Sequence, residues 1–532
     1  MSATKYPCPK CGKPMRMNGK REGRGKLRWR CETAGVHCYS TTNPTAPVRD
    51  AASNDVSTGK AKRFARALGE SGQTKRYIVT AAQNATPVHD GFWQALENAA
   101  KHLDAELIVI PLRYKNPTSS FTASQANEEI WAEEVEPYLY NLRKKLNPNL
   151  VLVGDVKIQP TASAPLTGFE GLTHAESAIL GHTKIQLKVV PVPAGKMPKI
   201  LTTTGACTVP NYTDSRAGKL GQFHHSLGAV LVEVEGKQFW VRQLLADKDG
   251  SFTDKTKTYD KTGIYDAPPA LGLVMGDVHR RFIDPKVEAA TFGPGGIVEE
   301  LNPTTLVWND VMDGYAVNPH HYGNPFISFA KQAAGLTSVR KEVEDTISFI
   351  DQYTGQRNSV IVASNHDNFL SRWVQHADWK NVGRDNADFY LETALAMLQS
   401  TRVDGGGARF CDPFKHWVTR LSTNPGVRCL DVDESFTIAG IEVGMHGDRG
   451  PNGSKGTIRN LRRLGSRVVI GHSHTPGIDE GAYQTGTCTP LRLEYTQGPS
   501  SWLNAHVVIY ASGKRALIFM IDGRWCLDQK TA

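Results

Sequence analysis

The sequence predicts a multidomain α/β protein that begins with a small zinc-binding module. From residue 76 onward, apolar runs of strand length alternate with amphipathic helical stretches, which is the pattern of an α/β fold. Four of the nine cysteines lie within the first 38 residues. A chain of 532 residues is too long for one hydrophobic core. We therefore expect a zinc module over residues 1–45, a flexible linker over 46–75, an α/β accessory domain over 76–266 and a second α/β domain over 267–532.

The N-terminal cysteines have the spacing of a zinc site. Cys8 and Cys11 form a C-x2-C knuckle, and Cys31 with Cys38 would complete a tetrahedral thiolate site. His37 is a rival for the fourth position. The C-P-x-C-G knuckle, followed by N-G-K-R and L-R-W-R-C, resembles the zinc ribbons that begin some transposases, although the spacing from Cys31 to Cys38 is longer than in those ribbons. We expect one structural zinc ion. The other cysteines show no pairing pattern, so no disulfide framework is expected.

Positive charge is concentrated at the N-terminus. Residues 1–76 hold 17 Lys and Arg against 5 Asp and Glu, a net +12, so with +9 overall the other 456 residues sum to −3. A compact basic module that carries Trp29 and Tyr39 suits a phosphate backbone with stacked bases, which favours a tether for DNA. The alternative is a solvated basic arm that contacts an acidic partner protein.

The sequence contains no candidate membrane segment. No apolar run approaches the roughly 18 residues needed to span a bilayer, and no signal peptide is recognisable. We expect a cytoplasmic protein, located in the host cytoplasm if it is viral. A homo-oligomer is an open alternative to a monomer.

The accessory segment begins with a strand, helix, strand pattern. YIVTAA and ELIVIPL are predicted strands around an amphipathic helix, and a long helix is predicted over 126–146, before LVLVGDV. GAVLVEVEG and KQFWVRQLL predict a hairpin around Glu235. Four histidines in this segment have no acidic or Cys partners at ligand spacing, and we expect them to be structural: His174, His182, His224 and His225. A short helix is predicted in the linker at 61–68.

Five apolar runs in the last segment end in side chains that bind metals. Because open α/β folds keep their chemistry at the carboxyl ends of their strands, five such ends are hard to attribute to chance. The runs are LGLVMGDVH with Asp277 and His279, LVWND with Asp310, VIVASNHD with Asn365, His366 and Asp367, IEVGMHGD with His446, and VVIGHSHTP with His472 and His474. Helices are predicted at 325–336, 341–355 and 386–399, and a final hairpin, LNAHVVIYAS with ALIFMIDG, is expected to complete a second sheet.

The order of these motifs resembles the calcineurin-like metallophosphoesterase superfamily, whose pattern is D-x-H, G-D, G-N-H-D/E, H and G-H-x-H. The resemblance covers residues 271–476, with Asn309 and Ser364 in place of two glycines. It implies a four-layer αββα domain with two divalent metal ions. One ion would be held by Asp277, His279, Asp310 and His474. The other would share Asp310 and add Asn365, His446 and His472.

The resemblance also implies further roles. Asp313 is a rival to Asp310 as the shared ligand, but Asp310 follows the apolar run directly. His366 would protonate the leaving oxygen, and Asp367 would orient its imidazole or cap the following helix. Arg449 and Arg372 are candidate phosphate contacts. Mixed carboxylate, imidazole and amide ligands favour Mn, with Fe or Zn as alternatives, over Ca.

The motifs also bear on the substrate. Protein phosphatases of this superfamily carry G-D-x-x-D-R-G and G-N-H-E, whereas this chain has N-D-V-M-D-G-Y and S-N-H-D. The S-N-H-D motif, together with G-H-S-H, resembles the motifs of the phosphodiesterases and the recombination-repair nucleases. We expect a metal-dependent DNase from a phage or mobile element, acting in DNA transfer or degradation. The alternatives are an enzyme acting on nucleotides or small phosphoesters, and a non-catalytic DNA-binding or DNA-transfer protein.

Overall fold

The chain divides into two compact units, residues 1–63 and 64–532. The computed structural model describes residues 6–8, 13–20, 27–31, 40–41, 75–114, 130–494 and 496–529. The described residues of the smaller unit form an antiparallel sheet whose strands lie in chain order. Its strands are β1 (Tyr6–Pro7), β2 (Pro14–Lys20), β3 (Leu27–Cys31) and β4 (Ser40–Thr41).

Two of the predicted zinc ligands lie in the core of the smaller unit. Cys8 and Cys31 are buried together with Met15, and Trp29 packs against them. Cys11, Cys38 and the rival His37 lie outside the described residues, as does the predicted linker helix at 61–68. The zinc site therefore stays a prediction.

The first part of the larger unit consists mainly of strands. Its elements are β5 (Arg76–Gln83), α1 (Asp90–His102), β6 (Glu106–Leu112), β7 (Arg143–Asn147), β8 (Leu150–Val153), α2 (Phe169–Leu172), β9 (Ser177–Leu180), β10 (Gln186–Val190), β11 (Lys199–Thr203), α3 (Arg216–His224), β12 (Gly228–Glu235), β13 (Gln238–Leu245), β14 (Phe252–Asp254), β15 (Lys257–Tyr259) and β16 (Ile264–Asp266).

The first predicted unit of strand, helix and strand is present. Strands β5 and β6 are parallel and joined by α1, and β12 and β13 form the hairpin expected around Glu235. These four strands make one sheet in the order β13, β12, β5, β6.

The prediction of a long helix over 126–146 is wrong for residues 130–146, the part that the structure describes. A six-residue 3-10 helix, Glu133–Tyr138, is followed by strand β7, which pairs with β8. Pro137 lies inside this short helix, and proline lacks the N–H that a longer α-helix would need there.

The second part alternates strands with longer helices, and the three predicted helices are present as α6, α7 and α9. Its elements are β17 (Gly272–Val274), α4 (Pro285–Phe292), α5 (Ile297–Leu301), β18 (Thr305–Trp308), α6 (Pro325–Ala333), α7 (Val339–Thr354), β19 (Asn358–Ile361), α8 (Asn368–His376), α9 (Arg384–Ser400), β20 (Arg402–Asp404), β21 (Gly407–Arg409), α10 (Pro413–Leu421), β22 (Val427–Cys429), β23 (Thr437–Ile438), β24 (Ile441–Glu442), α11 (Ile458–Leu461), β25 (Arg467–Ile470), β26 (Gly477–Asp479), β27 (Ala482–Gln484), β28 (Ala505–Ile509) and β29 (Arg515–Phe519).

A six-stranded sheet carries three of the metal-binding motifs. Its order is β22, β19, β18, β17, β28, β29, and its first four strands are parallel. The final hairpin is present, but its expected place in a second sheet is wrong, because β28 pairs directly with β17. Along β17, Leu273 packs among helices on one face and Val274 joins a core between sheets on the other.

A ten-stranded sheet crosses the predicted boundary at residue 266. Its order is β23, β24, β25, β27, β26, β10, β11, β9, β8, β7, and its two parts meet where Leu187 of β10 pairs with Ile478 of β26. The segments 76–266 and 267–532 thus share a sheet and a hydrophobic core. The larger unit is a mixed α/β structure with several sheets, and eleven α-helices lie among the described residues. None of the described helices is both long and apolar enough to span a bilayer.

Two of the histidines expected to be structural, the buried His182 and the half-buried His225, have both ring nitrogens hydrogen-bonded. His182 Nε2 lies 3.0 Å from the Gln159 carbonyl oxygen, and its Nδ1 accepts from the Lys184 N–H at 2.9 Å. His225 lies between the Tyr212 hydroxyl and the Thr208 carbonyl oxygen. His182 Nδ1 must accept a hydrogen bond, so the neutral form fits this ring, and burial lowers the pKa of both residues to about 4.

The stability advantage of the wild type over His182→Gln is expected to shrink as the pH falls. His182 is neutral when folded and takes up a proton on unfolding between pH 6.5 and its lowered pKa of about 4, so acid favours the unfolded chain. The expected change is about 1 to 3 kcal/mol between pH 7.5 and 4.5. Denaturant unfolding of both proteins at several pH values measures it, and a difference independent of pH would contradict the account.

Candidate metal centre

The predicted ligands gather where the strands of the motifs end. Asp277, Asp310 and Asn365 follow the neighbouring parallel strands β17, β18 and β19, so they meet at one sheet edge. Hydrogen bonds continue beyond the strands, because the His279 N–H donates to the Asp310 carbonyl oxygen at 2.8 Å. This contact fixes the first motif against the second.

Four buried residues form the first group of possible ligands: Asp277, His279, Asp310 and His474. Their nearest ligand atoms all lie within 4.8 Å of one another. His474 Nε2 is 3.1 Å from both Asp277 Oδ2 and His279 Nε2. His279 Nε2 is 3.9 Å from Asp310 Oδ2. These are the four residues expected to hold the first ion.

The second group shares Asp310 and adds His446 and His472. Asp310 Oδ2 lies 3.1 Å from His446 Nε2. Asn365 Oδ1 lies 3.2 Å from His446 Nε2 and 3.0 Å from His472 Nδ1, so the amide belongs to the same group. The structure thus brings all seven predicted ligands together and places Asp310 between the two groups.

The ligand atoms of the first group point toward a common centre and do not form a set of complementary hydrogen bonds. The facing Nε2 atoms of His279 and His474 can share at most one proton in a hydrogen bond. Among the described residues, the buried Asp277 Oδ2 lies 3.1 Å from His474 Nε2, at an angle that does not make a hydrogen bond of normal geometry. Buried polar atoms are rarely left in this state, and a cation at the centre of the group would satisfy them together. The residues present therefore fit a bound metal.

The charges of the centre also favour a cation. Burial opposes ionisation of Asp310, yet the His446 and His366 imidazoles hold its pKa well below the ordinary value. Burial likewise opposes protonation of His446, but Asp310 dominates and raises its pKa to about 9. The carboxylates thus favour positive charge at the centre, which a divalent ion would supply in place of protons on the imidazoles, so metal affinity should fall in acid.

Four of the ligands have an unusual backbone conformation. The φ angles are 44° at His279, 40° at Asp310, 73° at His472 and 58° at His474. Residues other than glycine seldom adopt such angles, which cost on the order of 1 kcal/mol or more each, and they cluster at functional sites. The backbone also packs closely against the first ligand group. A Cβ at Gly471 would lie 2.3 Å from Asp277 Oδ1, so this position has no room for a side chain.

Two residues support the imidazoles, and their supporting roles were not predicted. Asn309 Oδ1 lies 3.3 Å from His446 Nδ1, while its Nδ2 donates to the Met275 carbonyl oxygen at 3.2 Å. Asp313 Oδ1 lies 3.1 Å from His279 Nδ1. Each contact turns Nε2 of the imidazole toward the centre. The sequence offered one indication of the role of Asn309, which stands where the superfamily pattern has glycine. Asp313 was predicted only as a rival metal ligand.

Replacing Asn309 with Ala is expected to raise the dissociation constant for Mn²⁺ by about 10- to 100-fold, because His446 loses the group that orients it. Calorimetric titration of the metal-free protein measures this change. Asn318→Ala, in a neighbouring loop, serves as the control and should bind Mn²⁺ like the wild type. Equal affinities for the wild type and Asn309→Ala would show that the amide does not orient His446.

His366 lies beside the first group without belonging to it. Its ring centroid is 4.6 Å from that of His279, and its Nδ1 lies 2.8 Å from the Asp313 carbonyl oxygen. His366 also forms a third possible ligand group with His279 and Asp313, at a longer separation of 4.0 Å between His366 Nδ1 and Asp313 Oδ1. Because His366 Nδ1 already contacts the carbonyl, we interpret this group as hydrogen-bonded support.

Asp367 differs from both of its expected roles. Its side chain makes no capping hydrogen bond to α8, and the described contacts of the His366 ring nitrogens are to Asp313. Instead, Ser364 Oγ donates to Asp367 Oδ2 at 2.8 Å. Burial raises the pKa of Asp367 to about 8. Ser364 stands where the superfamily pattern has glycine, so this departure provides the partner of Asp367.

The two candidate phosphate contacts differ in position. Arg449 is exposed and lines a cavity of about 240 Å3 together with the ligand His446. Arg372 is exposed on α8 and lines a different groove, beside Tyr322 and His376. Among the described residues lining that second groove, none is a predicted metal ligand. Arg449 is therefore the better placed of the two.

The chain is similar to a curated phage protein over nearly its whole length. It is 31% identical over 540 residues to protein A1 of Escherichia phage T5, an alignment that covers 95% of this chain and 96% of the relative. No family model matches the chain.

Proposed function

We propose that this chain, which belongs to the family of protein A1 of Escherichia phage T5, is a metal-dependent phosphodiesterase that hydrolyses DNA. The observation that carries the proposal is the pair of ligand groups that share Asp310, buried except for the half-buried His472, with His366 beside them. A structural protein has little use for two carboxylates and four imidazoles converging in its interior, because burying such groups is costly.

Two divalent ions would be held in this centre, with manganese as the expected metal. Asp277, His279, Asp310 and His474 would bind one, and Asp310, Asn365, His446 and His472 the other. When bound, such ions supply a hydroxide at neutral pH and offset the charge of the phosphoryl oxygens. The ordered donors and the supports at Asn309 and Asp313 keep the site fixed before substrate arrives.

His366 is assigned the proton transfer to the leaving oxygen. The Asp313 carbonyl can accept a hydrogen bond from Nδ1 in both protonation states, so Nε2 is the atom that gains and loses a proton. The side chain is 18% exposed, which lets Nε2 meet a substrate at the surface of the centre. His366 is therefore the general acid of this proposal.

Three features support phosphodiester hydrolysis of DNA. The S-N-H-D and G-H-S-H motifs resemble the nuclease and phosphodiesterase branch, and the basic residues 1–76 suit a DNA tether. The core shared by the six- and ten-stranded sheets, with helices on the outer face of the six-stranded sheet, supports the four-layer metallophosphoesterase arrangement.

The test is cleavage of end-labelled single- and double-stranded DNA by the full chain. Products are expected with Mn²⁺, while excess chelator or Ca²⁺ alone should leave the DNA intact, because the donor set disfavours Ca²⁺. Bis(p-nitrophenyl) phosphate is assayed in parallel. Intact DNA with hydrolysis of that small diester would favour the nucleotide or small-phosphoester alternative, and no hydrolysis of either would favour a non-catalytic DNA-binding protein.

A further inference from the structure

The segment from Arg449 to Arg467 carries a concentrated positive charge that the metal centre does not use. It contains six Lys and Arg and no Asp or Glu, whereas residues 77–532 together sum to −3. The segment connects the motif of His446 to that of His472 and His474. Its charge therefore lies, in sequence, between two parts of the candidate metal centre.

Most of these cations are exposed without an acidic partner. Lys455, Arg459 and Arg463 are exposed, and among the described residues no carboxylate lies within ion-pair distance of them. Two cations of the segment are paired. Arg449 Nε lies 3.5 Å from Asp448 Oδ2. Arg462 is the other, because its Nη1 is 2.8 Å from Asp479 Oδ2 and 3.3 Å from Glu480 Oε1. This ion pair attaches the segment to the ten-stranded sheet and leaves its neighbours available to a ligand.

The segment forms part of two depressions that border the centre. On one side, Arg449 lines the cavity that also contains His446. On the other side, Arg459 and Arg463 line a groove of about 430 Å3 that includes Thr475, the residue after His474. Each depression thus adjoins a different ligand motif, and the basic segment lies between them.

We propose that residues 449–467 bind the phosphate backbone of the nucleic acid on which the metal centre acts. This inference rests on the proposed function, since it names the surface that holds the same substrate. Exposed guanidinium and ammonium groups beside a groove suit phosphates spaced along a strand, and their contacts carry little sequence information. The larger unit thereby has its own salt-sensitive hold on DNA, in addition to the basic N-terminal unit.

The test compares two full-length variants that each lose two positive charges. Arg459→Gln/Arg463→Gln removes two of the cations that line the groove, and Lys341→Gln/Arg384→Gln removes two exposed cations from α7 and α9 as a matched control. The dissociation constant for a fluorescent DNA duplex is measured between 50 and 200 mM salt in Ca²⁺. Melting temperatures show that both variants are folded.

The dissociation constant of the groove variant for DNA is expected to be about 10- to 100-fold higher than that of the wild type near 100 mM salt. The slope of the logarithm of the dissociation constant against the logarithm of the salt concentration should fall by nearly 2, because each phosphate contact contributes about 0.9 to that slope. The control should keep the wild-type slope and its hydrolysis of bis(p-nitrophenyl) phosphate. Equal slopes for the groove variant and the control would overturn the proposal, as would a wild-type chain that does not bind DNA. Normal DNA binding without cleavage would contradict the proposed function and leave this surface supported.

Discussion

Replacing Asp310 with Asn is expected to lower kcat/KM by at least about 1,000-fold, which corresponds to roughly 4 kcal/mol of transition-state stabilisation. Asp310 is the residue common to both ligand groups, and its Oδ2 lies 3.1 Å from His446 Nε2 and 3.9 Å from His279 Nε2. An amide has no negative charge with which to bridge two cations. Both DNA cleavage and hydrolysis of a small phosphodiester should be lost, and the bound metal should fall below two ions per chain.

Asp313→Asn is the matched control for this change. Asp313 is also a buried carboxylate, but it contacts the outward nitrogen of His279 instead of lying between the groups. Its replacement should cost about 10- to 100-fold in metal affinity and leave activity recoverable at high Mn²⁺. If Asp310→Asn is likewise rescued by excess metal, Asp310 does not bridge.

The second large effect is expected for His366→Ala. Loss of a general acid should lower kcat for DNA by about 100- to 10,000-fold. Hydrolysis of bis(p-nitrophenyl) phosphate should fall far less, because its nitrophenolate leaving group departs without being protonated. Metal content should stay at the wild-type level, since His366 Nδ1 is hydrogen-bonded to the Asp313 carbonyl and lies outside the two proposed ligand groups.

His320→Ala provides the comparison, because His320 is exposed and belongs to none of the three described ligand groups. It should cleave DNA at the wild-type rate. Equal losses on both substrates after His366→Ala, accompanied by loss of metal, would instead identify His366 as a ligand.

The seven candidate ligands could be named from the sequence because each follows an apolar run and their order resembles that of the metallophosphoesterase motifs. Strands β17, β18 and β19 are parallel neighbours, so side chains that follow them meet without any knowledge of the rest of the fold. The supporting contacts could not be derived in this way. Asn309 reaches His446 and Asp313 reaches His279 across the fold, and those contacts depend on loop positions that local patterns do not fix.

The arrangement of the sheets was harder to predict for a similar reason. The pairing of Leu187 with Ile478 joins residues far apart in the chain, and neither strand indicates its partner. The same holds for β28, whose pairing with β17 placed the final hairpin in the six-stranded sheet. The unusual φ angles at His279 and Asp310 also have no local signature, because only the assembled centre favours them.

The most direct test of the central claim is a titration of the metal-free full chain with Mn²⁺, in which bound metal and phosphodiester hydrolysis are measured on the same samples. The two ligand groups sharing Asp310 predict two bound ions per chain, with activity rising as the second ion binds and ceasing when chelator removes it. Full activity with no metal, or with one bound ion and no further increase, would contradict a dinuclear centre.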